Sequence, residues 1–409
     1  MAHSHPGVRV SESPKSRIPT TIWLLGTVSL LMDISSEMVH SLLPIYLVVH
    51  LNTSTLTLGI IEGIAESAAL MVKVFSGALS DYFGKRKPLA VFGYGLSALS
   101  KPLFAIATTI EIAFSARLID RLGKGIRGAP RDALIADVTP KNIRGAAYGL
   151  RQSMDTVGAF AGPLIAMALM LLWDNQFLWV FWVATIPGFL AVSLLMVGLR
   201  EPSSRTTNNK TTIHLDQLTQ LTTPYWWVVG FGSLFTLARF SEAFILLSAQ
   251  QRGLPIAYAP LIMVAMSFAY ALSAYPFGKL ADRMRHTSLL AGGILTLIGA
   301  DLIIATSHTL IAMVTGVLLW GIHLGMTQGL LATMVSHTVP AQLRGTGFGI
   351  FNLVSGLSML FASILAGWIW QQYGAAYTYY AGALFCLFAL AILVLFRIIE
   401  DNNANEISI

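Results

Sequence analysis

The sequence predicts an all-α membrane protein with twelve transmembrane helices in two six-helix bundles. The chain of 409 residues is 55% hydrophobic and only 11% charged, whereas soluble chains carry about 25% charged residues. Apolar stretches of about 20 residues, the length that crosses a bilayer, recur along the whole chain. The polar segments between them match in two halves, which indicates a duplicated bundle.

Twelve apolar segments account for most of the chain. The predicted spans are 21–49, 56–79, 88–108, 112–137, 146–172, 178–199, 224–250, 256–278, 288–306, 309–336, 346–371 and 375–397. The first is too long for the core of a cleaved signal peptide, so it is predicted to be retained. Pro44 lies in its second half, where a proline bends a helix.

The loops between these segments alternate in charge. One set holds most of the lysines and arginines, whereas the other offers only Arg252. The first set comprises Arg9, Lys15, Arg17, Lys85, Arg86, Lys87, Lys141, Arg144, Arg200, Arg205, Lys210, Lys279, Arg283, Arg285, Arg344 and Arg397. Because cytoplasmic loops are enriched in basic residues, both termini are predicted in the cytoplasm.

The domain boundaries follow from the same pattern. Residues 1–20 are a predicted cytoplasmic tail, 21–200 the N-terminal bundle, 201–223 a cytoplasmic linker, 224–398 the C-terminal bundle, and 399–409 a second cytoplasmic tail. The single cysteine, Cys386, excludes an intrachain disulfide and a cysteine-rich metal site.

The two halves repeat one another in their polar segments. GALSDYFGKRKP (77–88) follows span two, and GKLADRMRH (278–286) follows span eight. VTPKNIRGAAYGL (138–150) matches TVPAQLRGTGFGI (338–350) at an offset of 200. Ser-Glu at 36–37 in span one is echoed at 241–242 in span seven. Parallel repeats of this kind are typical of transporters whose substrate site lies near mid-membrane between the halves.

The loop GALSDYFGKRKP resembles the signature loop of the major facilitator superfamily, and GKLADRMRH resembles its degenerate partner. Arg117 and the following LIADVTPKNIRG are similar to the fourth-helix motif and the loop after it. The resemblance covers residues 21–398 and implies the major facilitator fold. It also implies a gating loop at Gly77, Asp81, Gly84, Lys85, Arg86 and Asp282.

Span five resembles a glycine-proline motif of antiporters in this superfamily. The matching positions are Gly149, Gly158, Gly162 and Pro163, whereas Ala166 and Met167 replace the closing glycine pair. Small residues let helices approach closely, and the proline bends the helix. The resemblance implies export by antiport; ordinary close packing of small residues is the alternative.

DISSEM and IDRLGKGIRGAPRDALIAD are similar to a bacterial subgroup of these permeases. Some members are linked to nickel or other metal resistance and others to siderophore handling, which implies the bacterial inner membrane. The metal-resistance members tend to carry a histidine-rich tail. This chain ends EDNNANEISI, without histidine, which counts against nickel.

Ionisable residues recur within the predicted spans at helical spacing. The candidates for proton coupling and substrate binding are Asp33, Glu37, His40, Arg117, Arg121, Arg239 and Glu242. The supporting cavity charges are Glu62, Glu66, Lys124, Arg131, Arg151 and Asp155. Such groups face the interior or a water-filled cavity and usually pair.

Asp33 and Glu37 are the leading candidates because they share one face of span one with His40. The hypothesis is that they carry the coupling proton or bind a cationic substrate group, with Arg117 tuning them. A carboxylate whose distance to an arginine changes between conformations can load and release a proton. Glu37 and His40 could share a metal ion, but no metal site and no cofactor are predicted.

Two alternatives stay open for these charges. In the first, some of these charges form structural salt bridges of a gate, as for Asp81 with its basic neighbours or Arg151 with Asp155. In the second, the charges attract an anionic substrate such as a carboxylate-rich chelator. The attracting residues would be the basic stripe of span four, which consists of Arg117, Arg121, Lys124 and Arg131.

The predicted function is secondary active transport of a small solute by alternating access, as proton-coupled efflux of a drug, metal or metal chelate. The alternatives are proton-symport import of a ferric siderophore or other anionic nutrient, and a non-transporting receptor. No Walker-type nucleotide-binding loop is present, and no enzyme activity is predicted. The expected partners are the substrate, protons and lipid, with no nucleic acid, and the chain is expected to be a monomer.

Overall fold

The computed structural model describes residues 18–83, 85–199, 220–281, 283–340 and 343–407. The gating-loop predictions for Gly84 and Asp282 lie outside these residues, as does the side chain of Asp81. Most of the predicted linker and of the N-terminal tail also lies outside them.

Helices account for nearly all of the described residues, and no strand occurs among them. The helices longer than one turn are α1 (Thr20–His40), α2 (Thr55–Phe83), α3 (Lys87–Ala105), α4 (Ile110–Val138), α5 (Arg144–Leu172), α6 (Phe177–Gly198), α7 (Thr223–Leu237), α8 (Ala243–Gln251), α9 (Pro260–Ala281), α10 (His286–Thr306), α11 (Leu310–Thr338), α12 (Arg344–Tyr373) and α13 (Ala375–Ile407). The prediction of an all-α chain is therefore confirmed for the described residues.

The first and seventh predicted spans are interrupted, and the eighth begins with the short turn Ile256–Tyr258 before α9. Each of the others coincides with one helix. After α1, the chain continues through the short turns Leu43–Ile45 and Tyr46–His50, the second of them π-helical. Pro44 lies in the first of these turns and has no backbone N–H to continue the helical hydrogen bonds. The seventh span divides into α7 and α8, and the Ser241 hydroxyl accepts a hydrogen bond from the Ala243 N–H at 3.3 Å. This bond satisfies an amide group left free at the start of α8.

Within the described ranges, eight helical segments are long and apolar enough to cross a membrane. They are Thr20–His50, Arg144–Leu172, Phe177–Gly198, Ile256–Ala281, His286–Thr306, Leu310–Thr338, Arg344–Tyr373 and Ala375–Leu395. This confirms a multi-pass membrane protein. The count of twelve crossings stays a prediction. The helix α4 is not among the eight, and it carries many of the charges that build the site.

Successive helices reverse direction, so the loops gather at two ends of the molecule. At one end, here called the basic end, Arg86 pairs with Asp137 at 3.1 Å, and Lys87 donates to the Met196 carbonyl at 2.9 Å. At the opposite end, the Tyr46 hydroxyl donates to the carbonyl of Ala107. These contacts tie the first half together at its two ends.

The apolar core is continuous at the opposite end and divided at the basic end. One cluster includes residues of both halves, from Met38 to Leu393. Two smaller clusters lie toward the basic end, one built from residues 18–199 and the other from residues 221–354. Two bundles joined at one end would give this division.

The two halves also meet along α2 and α12. The Thr55 hydroxyl donates to the Gly367 carbonyl at 3.3 Å near one end of this contact. A Cβ at Gly63 would lie 3.0 Å from the Leu360 carbonyl oxygen, so the two backbones are nearly in contact there. Small residues permit such close approach between membrane helices. The site described below therefore lies beside a tight seam between the halves.

Candidate functional site

Helix α4 brings charged side chains into the interior of the first half. Arg117, Asp120, Arg121 and Arg127 are all buried. Glycines make this possible, because α4 lies so close to α2 that a Cβ at Gly125 would stand 2.6 Å from a backbone carbonyl oxygen of α2. Close packing on α2 places the guanidinium groups of α4 within reach of the carboxylates of α2.

The glutamate cluster consists of Glu37, His40, Glu62, Glu66, Arg117 and Arg121. Arg117 Nη2 lies 2.6 Å from Glu62 Oε2 and 3.1 Å from Glu66 Oε1. Arg121 Nη1 lies 3.3 Å from the same Glu66 oxygen. Bonds between charged groups are roughly twice as strong as neutral ones, so these two glutamates are held firmly against α4.

A contact from the second half reaches this cluster. The Ser241 hydroxyl, in the break between α7 and α8, donates to Glu62 Oε2 at 3.3 Å. Glu37 Oε2 lies 3.4 Å from His40 Nδ1 on the same helix. The glutamate cluster therefore joins α1, α2 and α4 to the broken seventh span.

Lys101, Asp120 and Arg121 form a buried network behind the glutamate cluster. Lys101 Nζ lies 2.7 Å from Asp120 Oδ1, and Arg121 Nη2 lies 2.7 Å from Asp120 Oδ2. Lys101 also donates to the Ser36 hydroxyl at 3.0 Å. Sequence spacing gave no sign of this pairing, because Lys101 lies on a different helix from its partner.

The Asp33 cluster lies on the basic-end side of the glutamate cluster and consists of Asp33, Arg127, Arg131, Arg151 and Asp155. Arg151 Nη1 lies 2.6 Å from Asp155 Oδ2, and Arg131 Nη1 lies 3.9 Å from the same oxygen. Asp33 Oδ1 is 3.9 Å from Arg127 Nη2, and the Asp33 side chain is 25% exposed. Among the described residues, no hydrogen bond is made to the Asp33 carboxylate.

Asp33 and Glu37 thus lie in separate clusters although they are one helical turn apart. The sequence-based hypothesis placed Arg117 beside Asp33 and Glu37. In the structure, Arg117 instead contacts Glu62 and Glu66. The reason is the packing partner, because α2 lies directly on α4. The predicted supporting charges Glu62 and Glu66 are therefore the direct partners of Arg117.

The remaining candidates line the surroundings without ion pairs among the described residues. The Arg239 guanidinium lies 5.8 Å from the centre of the Phe235 ring, a cation–π contact. Glu242 lies beside the start of α8, and Lys124 is exposed. His323, which was not among the candidates, is fully buried between the rings of Phe235 and Trp320.

The glycines of the antiporter-type motif pack on the carboxylate-bearing face of α1. A Cβ at Gly158 would lie 2.9 Å from the Asp33 Cβ, and one at Gly162 would lie 2.9 Å from the Glu37 Cβ. Pro163 is buried beside them. Gly149 has open space around it, with nothing within 4 Å of an added Cβ. Two of the three glycines therefore set the distance between α1 and α5.

We expect Gly162→Ala to lower both stability and transport. The new methyl group would stand 2.8 Å from the Ile34 carbonyl oxygen, so α1 must shift, and overpacking of this kind costs about 1–3 kcal/mol. Gly149→Ala is the matched control, since it makes the same chemical change in open space. Thermal unfolding in detergent and transport in liposomes measure both effects, and equal behaviour of the two variants would contradict the packing role.

One group of side chains in the described residues brings metal-ligand atoms together. His40, Glu62 and Glu66 each present one such atom, and these atoms lie within 4.8 Å of one another. The sequence predicted no metal site, because the ligands come from two helices and no spacing within one helix connects them.

Buried charges on several helices, beside a seam between two similar halves, define a membrane transporter of small solutes. The sequence profile of the Major Facilitator Superfamily matches residues 25–362 and 227–408. The chain belongs to this superfamily.

Relatives of known sequence agree with this assignment. An uncharacterized MFS-type transporter of Methanocaldococcus jannaschii is 30% identical over 356 residues, which is 86% of this chain and 88% of the relative. Multidrug resistance protein MdtH of Photorhabdus laumondii is 31% identical over 185 residues, 45% of each chain. A POT family transporter, crystallised with a thioalcohol conjugated peptide, has a TM-score of 0.77 at 12% identity, over 94% of this chain and 96% of that one. The last likeness shows a shared fold.

Proposed function

We propose that this transporter is a proton-coupled antiporter that exports a small solute, with twelve spans in two bundles. The observation that carries the proposal is the state of Asp33. Its carboxylate is partly exposed and accepts no hydrogen bond from the described residues. It forms an ion pair with Arg127, but the distance between the charged atoms is long, at 3.9 Å. A carboxylate so placed can exchange a proton with water that reaches its exposed part.

The surroundings of Asp33 suit it to coupling. Asp155 and the cations Lys124, Arg127 and Arg131 act electrostatically on it. A shift of α1 against α4 changes the distance to Arg127 and so changes how tightly Asp33 holds a proton. Coupling then requires that the proton and the solute favour different conformations, because a ligand shifts an equilibrium only by its difference in affinity.

Two observations support export. Gly158 and Gly162 seat α5 against α1 at Asp33 and Glu37, so the antiporter-type motif acts on the proposed coupling helix itself. A relative matched over 45% of the chain is named a multidrug resistance protein. Exported drugs, metals and metal chelates are the solute classes we propose.

Import of an anionic nutrient remains the second candidate, favoured by the exposed Lys124. It is weakened by the pairing of the basic stripe. Arg117 and Arg121 are paired with carboxylates of the glutamate cluster and the Lys101 network, and Arg131 is paired with Asp132 at 3.2 Å. Lys124 alone in the stripe has no ion pair among the described residues, which leaves little positive field for an anion.

Transport by purified protein in liposomes with an imposed pH gradient tests the proposed direction. A trapped pH-sensitive dye reports proton movement while cations, drugs and metal chelates are added one at a time. We expect one class to move against the proton flow, with no signal in protein-free liposomes. Solute that accumulates in the same direction as protons would contradict antiport and favour the import alternative.

The basic end is proposed to face the cytoplasm of a bacterial inner membrane, in line with the basic loops. The chain is proposed to work as a monomer without a cofactor, in contact with substrate, protons and lipid.

A further inference from the structure

We infer that His40, Glu62 and Glu66 bind a divalent transition-metal ion. Such an ion would be a substrate of the proposed transporter. That the ion is transported rests on the proposed function, whereas its binding does not. The three ligand atoms lie within 4.8 Å of one another and come from α1 and α2. An ion at the centre of such a triangle lies at most about 2.8 Å from each ligand atom, and small side-chain shifts bring it to the about 2.0–2.2 Å of a metal–ligand bond.

One residue of this triangle, Glu62, has a buried carboxylate oxygen without a partner among the described residues. Glu62 is fully buried, and its Oε1 has no hydrogen-bond partner in the described structure, although its Oε2 binds Arg117. The large majority of buried polar side-chain atoms have a hydrogen-bond partner, so an exception marks a place where a water molecule or an ion can bind. A metal ion would supply the missing partner of Glu62 Oε1.

Glu37 orients the histidine of the triangle. Its Oε2 lies 3.4 Å from His40 Nδ1, so a proton on Nδ1 leaves Nε2 as the free electron-pair donor. Metal-binding histidines commonly donate their other ring N–H to a carboxylate, which fixes the ring and raises its basicity. In this arrangement Glu37 is a positioning residue rather than a metal ligand.

The donor set selects the class of ion. One imidazole nitrogen and two carboxylate oxygens suit zinc, cobalt, nickel, iron or manganese in the divalent state. Monovalent copper prefers sulfur ligands, and calcium requires six to eight oxygens. Three protein ligands keep some coordination positions open for water. Such incomplete coordination by the protein suits an ion that has to be released again.

Arg117 competes with the ion for the same carboxylates. Its Nη2 atom is bound to both Glu62 and Glu66, so an incoming dication displaces it or shares those oxygens with it. This competition keeps binding reversible. The Ser241 hydroxyl also donates to Glu62, so occupation of the triangle acts directly on the break in span seven of the other half.

Equilibrium binding of Co²⁺ to the purified full chain in detergent tests the site. Visible absorption reports the ligand geometry, and metal analysis after gel filtration reports the stoichiometry. We expect one Co²⁺ per chain with a nitrogen–oxygen spectrum. His40→Ala and Glu62→Gln should each weaken binding by at least about tenfold, and Glu37→Gln should weaken it about 10–100-fold, the range for residues that orient a ligand.

Arg117→Gln distinguishes the site from a generally acidic region, because removal of the competing cation should tighten Co²⁺ binding. The control is Glu111→Gln, which removes an exposed carboxylate at the start of α4 and should leave Co²⁺ affinity unchanged.

Gel-filtration profiles verify that each variant is folded. Glu37→Gln keeps the triangle testable if Glu62→Gln does not fold. Equal Co²⁺ affinity in the parent, His40→Ala and Glu37→Gln, or no binding to the parent, would overturn the inference. Proton-coupled transport of another solute would survive either result.

Discussion

Replacement of Asp33 with asparagine is expected to reduce gradient-driven transport to the level of protein-free liposomes. Asparagine keeps the size of the side chain but cannot release a proton. The Asp33 carboxylate makes no hydrogen bond to the described residues, and its ion pair with Arg127 is long, at 3.9 Å between Oδ1 and Nη2. The variant should therefore fold normally. Solute exchange across the membrane without a pH gradient should persist, because that step needs no net proton movement.

Asp174→Asn is the matched control for this variant. Asp174 is exposed and has a positive φ of 52°, a backbone conformation that asparagine adopts readily. The Asp174→Asn variant should leave both gradient-driven transport and solute exchange unchanged. Full gradient-driven activity in Asp33→Asn would sink the assignment of the coupling proton, whereas loss of exchange as well would make Asp33 a substrate or structural residue.

The second large effect is expected at Asp120. Asparagine there leaves Lys101 and Arg121, both almost fully buried, facing each other without their shared counter-charge. Breaking a buried ion pair by removing one partner costs about 3–5 kcal/mol. We expect a sharply lower unfolding temperature in detergent and a poor yield of folded protein.

A double variant shows whether the lost charge balance is the cause. Lys101→Met in the Asp120→Asn background removes the cation left unpaired and should recover part of the lost stability, since contacting residues are not additive. Arg121 retains Glu66 at 3.3 Å in both variants. Wild-type stability of Asp120→Asn, or no recovery in the double variant, would mean that this network does not hold the first half together.

Spacing along a helix predicts which residues share a face, and this much of the site could be read from the sequence. Asp33, Glu37 and His40 do lie along one helix, and Arg117 and Arg121 do point inward from another. Spacing cannot tell which helix meets that face. Glycines decide it here, because Gly158 and Gly162 seat α5 on α1 while Gly125 seats α4 on α2. The partners of Arg117 follow from that arrangement.

Helix breaks show the same limit. Pro44 indicated a bend in span one, because proline removes a backbone donor wherever it lies. Span seven has neither proline nor glycine between Leu237 and Ala243, yet it divides there. Its break is accompanied by hydrogen bonds of Ser241 to the Ala243 N–H and to Glu62 of the other half. Such a tertiary contact leaves no local pattern in the sequence.

The divided core has a consequence for how the chain assembles during synthesis. The small cluster of the first half needs only residues made before the linker, so it can form while the second half is still being translated, as N-terminal units generally do. The shared cluster and the α2–α12 seam must wait, because the Thr55–Gly367 contact joins positions 312 residues apart in the chain. Docking of the halves is therefore a late step in biogenesis, and until it occurs the glutamates of α2 lack the Ser241 contact that completes their surroundings.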